Sequence, residues 1–568
     1  MHVKHLAAAA TAALLLAPSA AAQNYDPASG QSPLVLLAVP GDGIAYYETR
    51  ERARALFAAQ QWAQVEPLAE QLVRDYPRDP ENWFMLARSK ARLGKWAEAA
   101  PAWERAGPLN WYRVAYTHLQ RGDRRTTLDI LRQTIFERRG FFRTELYDWP
   151  EFQTLHGDPE FMEMIGRPDT TGWTREQGWA FDVDFLLQEM WRVNPDFRGL
   201  PLPAEVVRRH EQLKRDIPRL SDEEIFVGMA RMLAPLHQGH IALWNPPGNR
   251  YLPVRFYAFP DGLYIIEAAD PALYGARVVA FGDTPADEAL RRLSETASVD
   301  GDMQYLWGVS NLAQSAYLKG LGLTPSADSV RMTLRGRDGR TRTVTLATTA
   351  TEPEGRQDRM VAPAGVPAPL YLRDIAEPQK HWETPLPEHD ALYVQVNNLV
   401  DEENETLAQF GLRLWSVVDS VRPRNLILDL RHNNGGSTSL YPQLLRTLVA
   451  FSRPEGNQVY VLIGRRSYSA TGNFVTDLER LVDPVFVGEA SSECCSLYGD
   501  PTGVRLPYSG TQGELTALKW MLSEPWDHRR EISPEVPVQL TAEAYFAGQD
   551  PAMDAIFRLI AHRRNASR

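Results

Sequence analysis

Cysteine is nearly absent from this sequence, which has only two among its 568 residues. The two are adjacent, Cys494 and Cys495, so a disulfide-rich extracellular scaffold is excluded. A zinc site cannot be built from this pair alone. Because neighbouring cysteines close only a strained ring, the sequence predicts two free thiols.

Long apolar runs are also missing. Beyond the N-terminal region, no segment approaches the roughly 18 uninterrupted apolar residues of a membrane span. A net charge of −11 argues against nucleic acid or anionic lipid as the main partner. Because no HExxH pattern or comparable cluster of histidine and acidic residues is visible, we expect neither a metal nor a cofactor.

The N-terminus has the pattern of a secretory signal peptide. Lys4 precedes an apolar run over residues 6–17, and after Pro18 comes the small-residue stretch 19–22. The apolar run is too short to cross a bilayer. We therefore expect cleavage near Ala22 and a periplasmic or secreted mature protein. The alternative is that these residues form an N-terminal helix of the mature fold.

An internal repeat follows between residues 53 and 106. Several residues recur with a separation of 34 positions: Ala53-Arg54 and Ala87-Arg88, Trp62-Ala63 and Trp96-Ala97, Pro67 and Pro101, and Glu70 and Glu104. This period, with aromatic and alanine positions at helical spacing, is typical of tetratricopeptide repeats. The sequence thus predicts helical repeats over residues 45–140. They form either a surface that binds peptides and partner proteins or a helical spacer.

The middle of the chain changes from a helical to a β-rich pattern. Residues 175–245 indicate helices, with Ser221 as an N-cap before an acidic first turn, and this part ends at Gly239-His240. Residues 250–348 indicate a small β domain with one helix. The strands are predicted at 256–268, 276–281, 330–335 and 341–346, and the helix at 286–293. Such a domain either binds a peptide as an added strand or is purely structural.

From about residue 385 the pattern alternates strands with helices, which predicts an α/β core. Acyl transfer needs a nucleophile, a base and two N–H donors for the oxyanion. Ser469 lies at a strand-to-helix turn, where its side chain can project and the N–H of Ala470 faces the same space. Gly435-Gly436 follow another strand, and a backbone N–H there can approach closely because no Cβ obstructs it.

Several segments, in this order, resemble the C-terminal-processing (tail-specific) serine peptidase family. The segment DLRHNNGG at 429–436 is similar to the family's D-L-R-x-N-x-G-G signature, and the stretch 467–474 to its nucleophile turn. Further similarities lie at Leu220-Ser221-Asp222, Gly239-His240, 485–489, 532–538 and 544–551. The resemblance covers about residues 175–560. It implies a helical lead-in, a PDZ-like domain and an α/β core of the ClpP/crotonase-like type.

The sequence departs from one branch of this family. That branch uses a Ser–Lys dyad in which the lysine follows the serine by 25 residues. Here that position is Cys494, and the only lysine after Ser469 is Lys519. Residues 488–495 also replace a glycine-rich loop that is common in the family. A dyad of that type is therefore not expected.

The other branch resembles the tricorn core protease and combines the serine with a histidine and a late acidic residue. His240 matches that histidine by its place in the G-H turn. Neutral imidazole suits a general base at physiological pH. The acidic residue, which orients the histidine in such triads, is predicted to be Glu531, with Asp527 and Glu535 as alternatives. The other interpretation of His240 is a turn histidine bonded to backbone.

The sequence thus predicts a multidomain protein. The expected parts are a signal peptide (1–22), helical repeats (45–140), a helical lead-in (175–245), a PDZ-like domain (250–348) and a peptidase core (385–560). We expect an exported serine peptidase that hydrolyses unfolded or C-terminal peptide segments, with envelope proteins as partners of the repeats. The alternative is an inactive scaffold or peptide-binding protein of the cell envelope on the same fold.

Overall fold

The structure is a computed structural model that describes residues 41–140, 142–197, 199–299, 308–352, 360–373 and 380–566. The predicted signal peptide lies outside the described residues. The chain divides into two compact units, the first ending at Arg167 and the second beginning at Pro168. Within the described ranges, no helix is both long and apolar enough to cross a bilayer.

The first unit is helical. Its helices are α1 (Gly43–Ala58), α2 (Trp62–Asp75), α3 (Pro80–Arg92), α4 (Trp96–Arg105), α5 (Trp111–Gln120), α6 (Arg124–Arg132) and α7 (Pro159–Met164). Helices α1 to α6 pack in sequence, each against the next. Trp62 and Trp96 begin α2 and α4, and Pro67 and Pro101 lie at the same position inside them. The repeated residues therefore occupy equivalent places in two successive helical hairpins.

A buried ion pair links these hairpins. The ammonium group of Lys90 donates hydrogen bonds to Glu66, Glu70 and Glu98 at 2.9, 2.8 and 2.6 Å. These three carboxylates also lie close enough together to hold a cation. Because Lys90 already pairs with all three, the cluster serves as an ion-pair network within the helices.

The second unit begins with three helices. They are α8 (Arg175–Val193), α9 (Ala204–Asp216) and α10 (Asp222–Leu233), and strand β1 (Ala242–Trp244) follows. The predicted N-cap at Ser221 is confirmed as a capping box, since Ser221 and Glu224 each accept from the other's backbone N–H. Helix α10 ends in a 3-10 turn, and His237 has a left-handed φ of 52°. This reversal directs Gly239-His240 away from the helix.

A mainly antiparallel sheet follows the lead-in helices. Its elements are β2 (Val254–Phe259), β3 (Gly262–Ala268), β4 (Arg277–Phe281), β5 (Thr284–Pro285), α11 (Ala286–Ser294), α12 (Ser315–Gly320), β6 (Ser329–Arg335) and β7 (Thr341–Ala347). The strand order is β2-β3-β4-β6-β7, and β5 pairs with β4. The strands and the first helix predicted for this region are confirmed within two residues at their ends, and the predicted run 256–268 forms the two strands β2 and β3. Its apolar residues share one core with those of α8 to α10.

The third part alternates strands and helices, as the sequence predicted. Its elements are β8 (His381–Leu386), β9 (Ala391–Val396), α13 (Leu407–Val421), β10 (Asn425–Asp429), α14 (Pro442–Ser452), β11 (Gln458–Ile463), α15 (Ala470–Leu481), β12 (Val485–Gly488), β13 (Ser496–Gly499), β14 (Thr502–Arg505), β15 (Gln512–Leu515), β16 (Leu518–Met521), β17 (Val536–Pro537), α16 (Ala542–Phe546) and α17 (Pro551–Ala566). The main sheet has the order β17-β12-β11-β10-β9-β8. All its pairs are parallel except β8 with β9.

This topology positions the candidate site. Strands β10 and β11 are parallel neighbours, so the turns that follow them lie at the same edge of the sheet. Ser469 is on the turn after β11, and Gly435-Gly436 are on the turn after β10. The lead-in reaches the same edge because β1 pairs with β15 of the core in antiparallel register, Leu243 opposite Gly513. His240 lies just before β1.

Candidate active site

Ser469 lies between β11 and α15 in a backbone conformation that few residues other than glycine adopt. Its φ is 59° and its ψ is −127°. Such conformations persist where the surroundings impose them, and they cluster at active sites. Ser469 directly precedes α15, yet its side chain makes no capping hydrogen bond to that helix. The hydroxyl is therefore not used as an N-cap, the ordinary role of a serine at this position.

His240 approaches this serine from a point 229 positions earlier in the chain. Its Nε2 lies 3.0 Å from Oγ of Ser469. Its Nδ1 lies 2.8 Å from the hydroxyl of Tyr468, and the two rings stack with their centroids 4.8 Å apart. The structure thus brings the predicted serine and histidine into hydrogen-bond contact. Tyr468 is a neighbour of His240 that the sequence did not indicate.

The imidazole of His240 is almost fully buried. Burial lowers the pKa of His240 to about 4, against smaller opposing effects of the Tyr498 backbone carbonyl and the Asp500 carboxylate. The ring is therefore neutral at physiological pH. This is the protonation state in which Nε2 can accept the hydroxyl proton of Ser469.

Glu493 is a second residue of the site that sequence reasoning missed. Its Oε2 accepts a hydrogen bond from the backbone N–H of Ser469 at 2.9 Å. Burial raises the pKa of Glu493 to about 8, against a smaller lowering effect of that N–H. The carboxyl is therefore largely protonated at pH 7. The only sequence signal was its place beside Cys494, at the position where one branch of peptidases has lysine.

The predicted oxyanion residues lie against the serine turn. Gly435 has a φ of 106°, and a Cβ added there would come within 2.8 Å of Cβ of Ser469 and 3.2 Å of N of Ala470. Ala470 is the first residue of α15, so its N–H has no acceptor within the helix. The N–H of Gly435 already donates to Oδ1 of Asn433 at 3.1 Å. Of the two glycines, Gly436 is the exposed one.

The three acidic candidates for a third triad member lie elsewhere. Glu531 is exposed. Asp527 accepts hydrogen bonds from Arg529 and from Ser523. The hydrogen bond from Arg529 is the main reason that the pKa of Asp527 lies well below its usual value. Glu535 accepts from the backbone N–H of Phe486 at 2.7 Å.

Both ring nitrogens of His240 are in contact with other groups, the hydroxyls of Ser469 and Tyr468, and the imidazole also hydrogen-bonds the backbone carbonyl of Tyr498. Within the described residues, none of the three acids forms a hydrogen bond or an ion pair with the imidazole. Lys519, the only lysine after the serine, donates to the hydroxyl of Tyr498 at 3.0 Å. The structure therefore brings together part of the predicted constellation, the serine, the histidine and the two turns.

The prediction of two free thiols was wrong, because Cys494 and Cys495 form a disulfide bond with each other. Cys495 has a left-handed φ of 66°, which lets two successive side chains meet. Both cysteines are buried in the core of the α/β part. The backbone of Cys494 donates to the carbonyl of Arg530, and that of Cys495 donates to the hydroxyl of Thr476 on α15.

Two clefts are lined by residues that neighbour Ser469 and His240 in the chain or contact them. One has a volume of about 660 Å³ and is lined by β1 together with Gly239, Tyr468 and Glu514. The other, of about 390 Å³, is lined by Gly239, Glu493 and the segment 523–531. Gly239, next to His240, lines both clefts.

No protein-family profile matches the chain, and no curated protein matches it either. Solved structures do match. Mature CPAF is 13% identical, with a TM-score of 0.50 over 69% of this chain and 98% of its own, and a point mutant of CPAF gives a TM-score of 0.51. The photosystem II D1 C-terminal processing protease is 15% identical over 66% of this chain and 97% of its own, with a TM-score of 0.32.

At such low identities the likeness concerns the fold alone. The match to CPAF extends over nearly the whole of that protein, so the similarity is not confined to one sheet. The chain therefore has a multidomain α/β fold similar to that of mature CPAF.

Proposed function

We propose that this protein is a serine peptidase that hydrolyses peptide bonds through an acyl-enzyme. The single observation that carries the proposal is the 3.0 Å contact between Nε2 of His240 and Oγ of Ser469. The two side chains come from distant parts of the chain. The serine also has a strained backbone and no capping role.

In the proposed reaction, Oγ of Ser469 attacks the carbonyl carbon of the scissile bond while Nε2 of His240 takes the hydroxyl proton. The N–H of Ala470 and an N–H of the Gly435-Gly436 turn stabilise the oxyanion. The imidazolium then gives its proton to the leaving amine, and the C–N bond breaks. Water, deprotonated by the same nitrogen, releases the acyl group and restores the serine. None of these steps requires a metal or a cofactor.

The substrates we propose are unfolded or C-terminal peptide segments. The two clefts support this because they offer space for a peptide chain next to Gly239, Tyr468 and Glu493, the neighbours of the pair. We assign a PDZ-like role to the antiparallel sheet of β2 to β7 and a tetratricopeptide-like role to the first unit, where the 34-residue period supports the assignment. Export also belongs to the proposal, on the N-terminal pattern, with envelope proteins as partners of the repeats.

Labelling with a fluorophosphonate, together with hydrolysis of denatured casein, tests the proposal. We expect the mature wild-type protein to label and to cleave, and Ser469→Ala to do neither. Loss of a triad member lowers kcat by roughly 10³-fold or more. Ser439→Ala is a matched control because its hydroxyl is exposed and contacts only that of Ser437 among the described side chains.

Two outcomes would contradict the proposal. If the wild type neither labels nor cleaves any denatured protein, the scaffold alternative replaces the peptidase. If Ser469→Ala labels and cleaves like the wild type, another residue is the nucleophile. Equal melting temperatures of the variants establish that any loss of activity is chemical rather than structural.

A further inference from the structure

A serine nucleophile needs its histidine in one particular tautomer. Nε2 must carry a lone pair directed at the serine, so the proton of the neutral ring must be on Nδ1. A hydrogen-bond acceptor at Nδ1 selects this tautomer. In the Ser-His-Asp arrangement that acceptor is a carboxylate.

Here the hydroxyl of Tyr468 lies 2.8 Å from Nδ1 of His240, and the backbone carbonyl of Tyr498 is a second hydrogen-bond acceptor for the imidazole. The phenol ring also stacks on the imidazole, with an angle of 21° between the planes. Tyr468 is 6% exposed, so solvent hardly competes for this contact. The hydrogen bond and the stacking together hold the imidazole at one position and one rotation.

The serine turn explains how a sequence neighbour of the nucleophile can fill this role. Tyr468 directly precedes Ser469, whose φ of 59° reverses the usual direction of the backbone. The two hydroxyls consequently meet opposite edges of one imidazole, at Nδ1 and Nε2. One turn therefore supplies both the nucleophile and the contact that orients its base.

The surroundings keep the phenol neutral. Burial, and then the charges of Glu493 and Glu514, raise the pKa of Tyr468 well above its usual value. A neutral phenol oxygen can accept the Nδ1 proton while its own proton points elsewhere.

We propose that Tyr468 is the positioning residue of this site and takes the place that an acidic residue has in other serine peptidases. Its hydroxyl oxygen accepts the Nδ1–H of His240 and thereby leaves the Nε2 lone pair directed at Ser469. The effect of Tyr468 on catalysis rests on the proposed function, whereas its effect on the tautomer of His240 holds whether or not the protein is a peptidase. Glu531, Asp527 and Glu535 then have no direct part in orienting the imidazole.

Tyr468→Phe is the decisive variant because it removes only the hydroxyl and keeps the stacking ring. We expect kcat to fall by about 10- to 100-fold, the size of the penalty for leaving the buried Nδ1–H without its hydroxyl partner, with KM unchanged. Tyr460→Phe is the matched control, since its hydroxyl is also buried and has no partner among the described residues. Glu531→Gln should keep wild-type kcat. Full activity of Tyr468→Phe, or a larger loss in Glu531→Gln, overturns the proposal.

A second measurement does not depend on catalysis. The ¹⁵N NMR shifts of His240 report which ring nitrogen carries the proton. We expect the Nδ1–H form in the wild type and in Ser469→Ala, and a mixture of tautomers in Tyr468→Phe. If Tyr468→Phe keeps the Nδ1–H form, the Tyr498 carbonyl selects the tautomer and the proposal is overturned. An Nε2–H form in the wild type overturns the proposal even if the Phe variant fails to fold. If the protein cleaves nothing but the Nδ1–H form is found, the peptidase function fails while the assignment of Tyr468 as the group that orients His240 stands.

Discussion

The serine turn and the segment that contacts it, residues 489–495, differ in how they relate to the peptidase pattern. The turn matches the pattern in sequence and has the strained backbone of a nucleophile. The segment lacks both the lysine and the glycine-rich loop, yet Glu493 accepts from the N–H of Ser469, and Ser492 donates to the carbonyl of Ser467. The proposed chemistry thus depends on the turn, whereas the residues that hold the turn in place are ones that the pattern does not specify.

The largest expected effect comes from removing His240, the proposed base for the serine of the turn. His240→Ala should lower kcat/KM by roughly 10³-fold or more, because the base is removed. Hydrolysis of denatured casein measures this loss. His210→Ala is the control, since His210 pairs with Asp184 on the lead-in helices at 2.7 Å. If His210→Ala loses as much activity as His240→Ala, the loss in His240→Ala reflects damage to the fold and not removal of the base.

The same residue predicts the pH profile. The folded pKa of His240 is lowered from its usual value to about 4. The base therefore stays neutral well below pH 6.5, and kcat/KM should fall only as the pH approaches about 4. The contribution of His240 to the free energy of unfolding is likewise full above its ordinary pKa of 6.5 and is lost as the pH falls through 4. A fall of kcat/KM centred near pH 6.5 contradicts the buried, neutral imidazole.

The next effect comes from Gly435→Ala. A methyl group there would meet Cβ of Ser469 at 2.8 Å, and the φ of 106° is itself unfavourable for alanine. We expect the turn to shift and kcat to fall by roughly 100-fold, on the scale of a lost oxyanion donor. Gly339→Ala is the control, since its φ is 76° but no atom lies within 4 Å of the new methyl. It should lose about 1–2 kcal/mol of stability and no activity.

Glu493→Gln tests how the segment 489–495 holds the serine turn in place. Because the pKa of Glu493 is raised from 4.5 to about 8, its stabilising contribution is full below the ordinary pKa and is lost as the pH rises through 8. The amide is isosteric with the protonated acid and does not ionise. Urea unfolding at several pH values should therefore show a smaller loss of stability toward pH 8 in the variant, with activity at pH 7 close to wild type. Glu403→Gln, at an exposed position, is the control. If the free energy of unfolding of Glu493→Gln depends on pH as that of the wild type and of the control does, the pKa of Glu493 is not raised.

The smallest effect is expected from the disulfide. A bond between adjacent residues hardly restricts the unfolded chain, so replacing Cys494 and Cys495 by alanine should cost about 1 kcal/mol by the loop-length relation. Activity should fall less than that of Gly435→Ala, since Glu493 keeps its contact with Ser469. Thermal unfolding and casein hydrolysis measure both quantities. A loss of activity as large as that of His240→Ala would mean that the disulfide is as important for the reaction as the base.

Much of the fold could be predicted from local patterns. The capping box at Ser221, the helix over Leu407–Val421 and the strands that precede Gly435 and Ser469 follow from spacing and side-chain type. Alternation of strands and helices also predicted a parallel core sheet. Because parallel strands end at one edge, the meeting of the two turns could be inferred as well.

The supporting contacts were not predictable, and the residues show why. Tyr468 and Glu493 have no distinguishing spacing, and their roles depend on burial beside His240 and Ser469. Glu531 was favoured from its segment alone, but the loop that carries it leaves its side chain exposed. The cysteines were expected to be free because adjacent cysteines close only a strained ring, yet in the structure the bond forms and Cys495 has a left-handed backbone.

The sequence by itself determined the succession of helices and strands, the two turns and the choice of serine and histidine, because these depend on neighbours a few positions apart. The tertiary structure decided which groups meet across 229 positions, that Tyr468 contacts Nδ1, and that Glu493 is buried. The physical reason is that pKa values and hydrogen-bond partners depend on what excludes water from a group. That is a property of packing between distant segments, which no local pattern contains.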